Sequence, residues 1–268
     1  MKGALPSGAK GRNSGAEFTS RLQKGGALLE DMRRLVSAWS EDVRSSDAVP
    51  VVMRVLGKST LPRAKDTYVR AFKPRFVNGN PPNAWKLARP LEDANAAIEV
   101  VRPLYYWITA RAERPLYEFV TMEMHEGLRS PGRTVTVEEV MLWLEERLRD
   151  YGKKWTPTIR RKVSRGILAA LRDFGFLEGR VRKKMVPYHV PLPSLVWIAQ
   201  ILSSLQSQGR ALVEHPDWGL FLMDESDVER RFLEAHQMGW LNYQAAGRVV
   251  RFEFPTLSLE DYAHAILG

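Results

Sequence analysis

Residues 153–177 read "KKWTPTIRRKVSRGILAALRDFGFL", a run of apolar side chains edged with arginine and lysine. Thr156 has the chemistry of an N-cap, and Pro157 suits a first helical position, where its missing N–H costs nothing. Set on a helix at 100° per residue, Ile159, Val163, Ile167, Ala170, Leu171 and Phe174 fall within about a third of the circumference. Arg161, Arg165 and Arg172 lie almost opposite, flanked by Thr158 and Lys162. One face is therefore expected in a core and the other outside it, carrying guanidinium groups in a row.

The charge around this helix is local. From Tyr151 to Lys184 there are eleven basic residues, Lys153, Lys154, Arg160, Arg161, Lys162, Arg165, Arg172, Arg180, Arg182, Lys183 and Lys184. Only Asp173 and Glu178 oppose them, so eleven less two leaves +9, which is also the net charge of all 268 residues. The rest of the chain sums to zero. A merely solvated helix face mixes signs, because like charges at i, i+4 repel. A basic strip backed by an anchored apolar face is what a helix needs to enter the major groove of a duplex, and arginine suits bidentate contact with phosphate or guanine. A surface docking an acidic protein is the rival explanation of the same strip, and phosphate contacts alone do not separate DNA from RNA.

Composition is that of an ordinary globular protein, with 44% hydrophobic and 26% charged residues. A pI near 9.8 favours an anionic partner. Cysteine is absent, which removes disulfides, thiolate metal sites and a cysteine nucleophile, and fits a cytoplasmic protein. "MKGALPSGAKGRNSG" lacks the apolar segment of a secretory signal, and residues 1–16 read as a flexible leader. The longest stretch without Asp, Glu, Lys or Arg, Met185 to Gly209, holds three prolines and is too short in its apolar part to span a bilayer. It reads as a buried helix, with Leu195, Ile198 and Leu202 inside.

From Glu17 to about Gly127 the periodicity is helical. "LLEDMRRLVSAW" puts Leu28, Met32, Leu35, Val36 and Trp39 on one face; "STLPRAKDTYVRAF" opens on Ser59 or Thr60 as a cap; Pro103 kinks or divides one later helix, and Pro115 starts another. "RSPGR", residues 129–133, is the expected boundary. Beyond it, Thr136 and Glu139 have the spacing of a capping box, a second helix follows at Pro157, and β-prone pieces come after Gly175. Helix, turn, helix and basic hairpin is the order of a winged helix. The phrase recurs: Gly175-Phe176-Leu177 and Gly239-Trp240-Leu241 each precede a hairpin that ends at Pro191 or Pro255, the second helix starting at Ser226 with Glu229 in capping position. The fold expected is mainly α: a helical domain at 17–130, a basic winged-helix-like unit at 131–192 and a second such unit at 193–268. The second unit lacks the basic face. Asp224, Glu225, Asp227 and Glu229 suit a helix N-terminus but would repel phosphate.

A weaker basic patch, Arg63, Lys65, Arg70, Lys73 and Arg75, is interleaved with Tyr68, Phe72 and Phe76. Its aromatics read as core and its cations as the rim around them, with an auxiliary phosphate contact as the alternative. Signals of catalysis are poor. His125, His189, His215, His236 and His264 are scattered without ligand spacing, and no phosphate loop, HExxH or GxSxG occurs. His215 and Asp217 of "EHPDW" stand on a proline turn with no third partner in the sequence. No catalytic residue, metal, cofactor or small-molecule substrate is expected.

With these residues in view, the chain from about Phe18 to Leu267 resembles the BrxA-type small accessory proteins of bacterial BREX (bacteriophage exclusion) defence systems. The likeness rests on "FTSRLQKGGALLEDMRRLVSAW", "STLPRAK" and above all "KWTPTIRRKVSRGILAALRDFGFLEG". It implies a helical N-terminal domain likened to RNA-binding antitermination factors, winged-helix elements, binding to double-stranded DNA, partner subunits in a defence complex and no catalytic activity. By position, the implied contacts are the basic residues between Lys153 and Lys184. The family has carried an inner-membrane label, which this hydropathy contradicts.

Overall fold

A computed structural model of the protein describes residues 17–124, 132–247, 249–255 and 258–267. The expected leader at 1–16, His125 and most of the expected boundary at 129–133 lie outside the described residues. The chain is mainly helical with small antiparallel sheets. A 3-10 turn at Arg21–Lys24 leads to α1 (Leu29–Ala38), α2 (Ala48–Leu56), α3 (Leu61–Thr67), α4 (Ala84–Asp93), α5 (Ile98–Ala112) and α6 (Arg114–Glu118). Helices α3 and α6 each run on into a π-wound stretch, Tyr68–Val77 and Phe119–Met124. The second half holds β1 (Thr134–Val135), α7 (Val137–Asp150), α8 (Pro157–Asp173), β2 (Leu177–Glu178), β3 (Lys183–Met185), α9 (Leu192–Ser204) and α10 (Arg210–Val213). A 3-10 segment Pro216–Phe221, α11 (Glu225–Gln237), β4 (Asn242–Ala246), β5 (Val249–Glu253) and α12 (Leu259–Leu267) complete it.

Sequence signals set most of these boundaries. Thr136 caps α7 by accepting from the Glu139 N–H, and Glu139 reaches back to the Thr136 N–H at 2.7 Å, the capping box expected there. Thr156 caps α8 ahead of Pro157. Thr60, not Ser59, stands at the N-cap of α3. Pro103 does not divide its helix; α5 runs through it, because residues 98–112 are held on almost every side by core. The start of α11 needs correction by two residues. Asp224 is the cap, and its capping box closes on Asp227, because a carboxylate at 224 takes the orphan N–H before Ser226 can.

Strands occur where both hairpins were expected, with one addition. β4 and β5 pair antiparallel from Asn242↔Glu253 to Ala246↔Val249. β2 and β3 pair with Leu177 opposite Met185, and the two-residue β1, which no alternation announces, joins the far side of β3 at Thr134↔Lys184. The order is β1-β3-β2.

One continuous set of buried side chains runs through both halves. Helix α9 is buried nearly throughout, Leu195, Ile198 and Leu202 among them, and lies against α5. Trp197 Nε1 donates to Leu87 O of α4 at 3.0 Å and Ser194 Oγ to Val100 O of α5 at 2.7 Å. Tyr106 of α5 meets Phe174 and Phe176 at ring distances of 5.2 and 4.7 Å, and its hydroxyl donates to Leu220 O. Among the described residues no helix is long and apolar enough to cross a membrane.

Candidate nucleic-acid interface

The site begins with how α8 is held. Of the stripe predicted from the wheel, Val163, Ile167, Ala170, Leu171 and Phe174 are fully buried, and Ile159 in the first turn is half-buried against the same core. The buried arc is wider than that stripe, taking in Ser164, Gly166 and Leu168. Part of the reason is the N-terminal segment, which crosses the helix. Phe18 stacks on Tyr151 at 4.7 Å and tilts against Trp155 at 5.6 Å, Leu22 lies over Gly166, and Gly26 over Ala169 and Ala170. A Cβ on Gly166 would stand 2.1 Å from Leu22 O, so only glycine permits this crossing.

What remains outside is a strip of Thr158, Arg161, Lys162, Arg165 and Arg172, all exposed. Arg161 pairs with Glu138 at 3.3 Å and Arg172 with its neighbour Asp173 at 2.7 Å. Lys162 and Arg165 have no ion-pair partner among the described residues, nor do Lys154 before the helix and Arg180, Arg182 and Lys184 after it. The hairpin turns tightly at residues 179–182. Gly179 has φ +89°, and a Cβ there would stand 2.2 Å from Arg182 O. Val181, between the two arginines, is 91% exposed. Lys183 is half-buried where β3 leaves the turn, donating to Arg180 O at 3.2 Å; burial holds its ammonium below the ordinary pKa, Arg172 adds to the shift and Asp173 opposes it. Helix end and hairpin thus bring like charges together.

Three expected contacts belong elsewhere. Arg160 turns inward, its side chain only 17% exposed, and pairs with Glu145 of α7; on the wheel it falls between Ile167 and Leu171, inside the buried arc. Lys153 ties down the N-terminal segment, pairing with Glu17 and donating to Phe18 O at 2.9 Å. Arg75 is fully buried, paired with Glu113 at 3.2 Å and donating to Gly26 O and Ala27 O, so it cannot reach a phosphate and leaves the auxiliary patch. In that patch Tyr68, Phe72 and Phe76 are core, as expected. Arg70 pairs with Asp66 at 3.1 Å, Arg63 and Lys65 are exposed, and Lys73 is half-buried.

Asp217 was visible in the sequence only beside His215. Folded, it is fully buried and gathers Trp107 Nε1 at 2.8 Å, Tyr117 OH at 3.0 Å and the Arg111 guanidinium. His215 Nδ1 accepts from the Asp217 N–H at 3.2 Å, and burial lowers the His215 pKa, with Asp217 opposing and Arg111 assisting. These partners lie about a hundred residues upstream, and no local pattern could announce them. Among the described residues no three His, Asp or Glu side chains are grouped to hold a metal ion.

The BrxA family model matches residues 16–200, more than half of the chain and all of the basic strip and hairpin. The chain belongs to the BrxA family. It is thus a BrxA-type protein, an accessory component of BREX phage defence. No curated protein and no solved structure matches it. The BrxA match ends within α9, so α10, α11, the β4–β5 hairpin and α12 lie beyond it.

Proposed function

We propose that this BrxA-family chain is a non-catalytic accessory protein that binds double-stranded DNA, with α8 in the major groove and the 179–182 hairpin on the adjacent backbone. The observation that carries this reading is the exposed strip on α8, continued by the unpartnered cations of the hairpin, on a helix whose opposite side is anchored in the core. The helix is 17 residues long, about 25 Å at 1.5 Å per residue, enough to lie along a groove about 12 Å wide. The sheet order supports a winged-helix reading: β1, α7, α8, β2 and β3 follow in sequence with β3 central, which leaves the β2–β3 tip free beside α8 as a wing. The C-terminal residues 201–268 hold ten acidic side chains against five arginines, and we assign them to structure or to partner subunits of the defence assembly instead of to phosphate.

The test is a triple substitution, Arg161, Arg165 and Arg172 to Glu, measured by fluorescence anisotropy on unrelated duplexes. Binding should be nearly abolished with the circular dichroism unchanged. For the native chain, log K against log salt should fall with a slope on the order of −4 or steeper, at roughly −0.9 per phosphate neutralised. A folded triple variant with unchanged DNA affinity would move the basic strip to an acidic protein partner. Equal affinity for RNA duplexes would widen the assignment to nucleic acid in general.

A further inference from the structure

A cleft of about 580 Å³ opens beside the π-wound stretch, within the size range of small-ligand sites. Its cationic walls are Arg21, Lys73 and Arg111, with the amides of Asn78 and Asn80 between them and Glu17 at the rim. Wide winding puts Val69, Lys73 and Pro74 on the cleft side, and the Asn78 N–H donates to Lys73 O five residues back at 2.7 Å.

The charges around this cleft do not balance. Arg111 is matched by Asp217, and Glu17 by Lys153. Arg21 and the fully buried Arg75 share a single carboxylate, Glu113, at 3.5 and 3.2 Å. Two guanidinium groups on one carboxylate leave a surplus positive charge, and Arg21 is the one of the two that lines the cleft. Lys73, half-buried at the cleft wall, has no ion-pair partner among the described residues and adds a second surplus charge. Arg21 and Lys73 are only partly exposed, so their surplus charge is incompletely solvated and an anion in the cleft offsets it. An ammonium and a guanidinium with neighbouring amides match a phosphoryl group, and the apolar flank of Val69 and Pro74 accommodates a nucleoside.

We infer that this cleft binds a phosphate-bearing ligand of nucleotide size, through Lys73 and Arg21. The same chemistry is offered by a free nucleotide and by one nucleotide unit of a nucleic-acid strand. The inference stands apart from the assignment of α8, because the cleft is built from other elements.

Calorimetric titration of the full chain with AMP, ATP and pyrophosphate, and anisotropy with a short duplex, test both sources. Lys73→Met removes the charge while keeping the aliphatic stem, Arg54→Met removes an exposed charge outside the cleft, and Arg165→Glu reports on α8. If the ligand is a free nucleotide, AMP or ATP binds the native chain, Lys73→Met weakens this roughly tenfold or more, and Arg54→Met and Arg165→Glu leave it unchanged. If the phosphate belongs to a strand, the free compounds do not bind, but Lys73→Met weakens duplex binding clearly more than Arg54→Met does. Should Lys73→Met lose its fold by circular dichroism, Asn78→Leu at the exposed rim replaces it with the same expectations. No binding of any free compound, with duplex affinity equal in the cleft and control variants, overturns the inference.

Discussion

Gly166 and Asp217 carry more structural consequence than any cation on the surface. In an exposed helix, Gly to Ala stabilises by up to about 1 kcal/mol. At Gly166 the new methyl would meet the Leu22 carbonyl at 2.1 Å, so the sign should reverse. Gly166→Ala is expected to lose roughly 1–3 kcal/mol in urea denaturation, the range for overpacking. Asp217→Ala should cost more, roughly 3–5 kcal/mol, because it strands the Arg111 guanidinium, whose side chain is 8% exposed. His215 adds a pH dependence. Burial depresses its folded pKa below the ordinary 6.5, so the unfolded chain takes up a proton first. Its contribution is present above pH 6.5 and is lost as pH falls through the folded value. In His215→Asn, whose carbonyl can still accept from the Asp217 N–H, stability should decline less than in the native chain between roughly pH 7.5 and 5.5.

At the scale of the element, α8 divides its cations by position on the wheel. Arg165 faces outward without a partner, while Arg160 is packed against Glu145. Arg165→Gln should therefore weaken duplex binding with little change in denaturation midpoint, and Arg160→Gln should do the reverse. Equal effects on binding would mean that the exposed strip is not the contact. The hairpin tip gives a graded check. Replacing Arg180 and Arg182 with Ser should make the salt slope shallower by about 1.8, two contacts at 0.9 each. The wheel made the outward strip legible because it depends only on helical periodicity. It also sets Arg160 inside the apolar arc, but it could not supply the Glu145 carboxylate that receives the guanidinium there. Strand β1 was illegible for a related reason: two residues carry no alternation, and pairing with β3 is all that defines them.

Over the whole molecule, the expected boundary near residue 130 is crossed by many contacts. Phe18 and Leu22 lie on α8 and its approach, Trp107, Arg111 and Tyr117 hold Asp217, and α9 is built into α5. Thermal unfolding of the full chain is expected to be a single transition with equal calorimetric and van't Hoff enthalpies, and residues 131–268 expressed alone should expose apolar surface and aggregate. Two separate transitions would favour independent domains. What the sequence determined by itself was everything carried by short-range regularity. That includes the helical class, the caps at Thr136 and Thr156, the two hairpins, the buried α9 and the one-sided charge of α8, because periodicity, capping and charge count are properties of neighbouring residues. Tertiary structure alone decided which cations stay free. Arg75 vanished into the core, Lys153 and Arg160 found carboxylates, and the surplus charge of the cleft arose from Arg21 and Arg75 meeting on Glu113, residues 92 and 38 positions away from it. Whether a charge is available depends on how its partners approach through space, and long-range pairing is the one thing that local pattern does not encode.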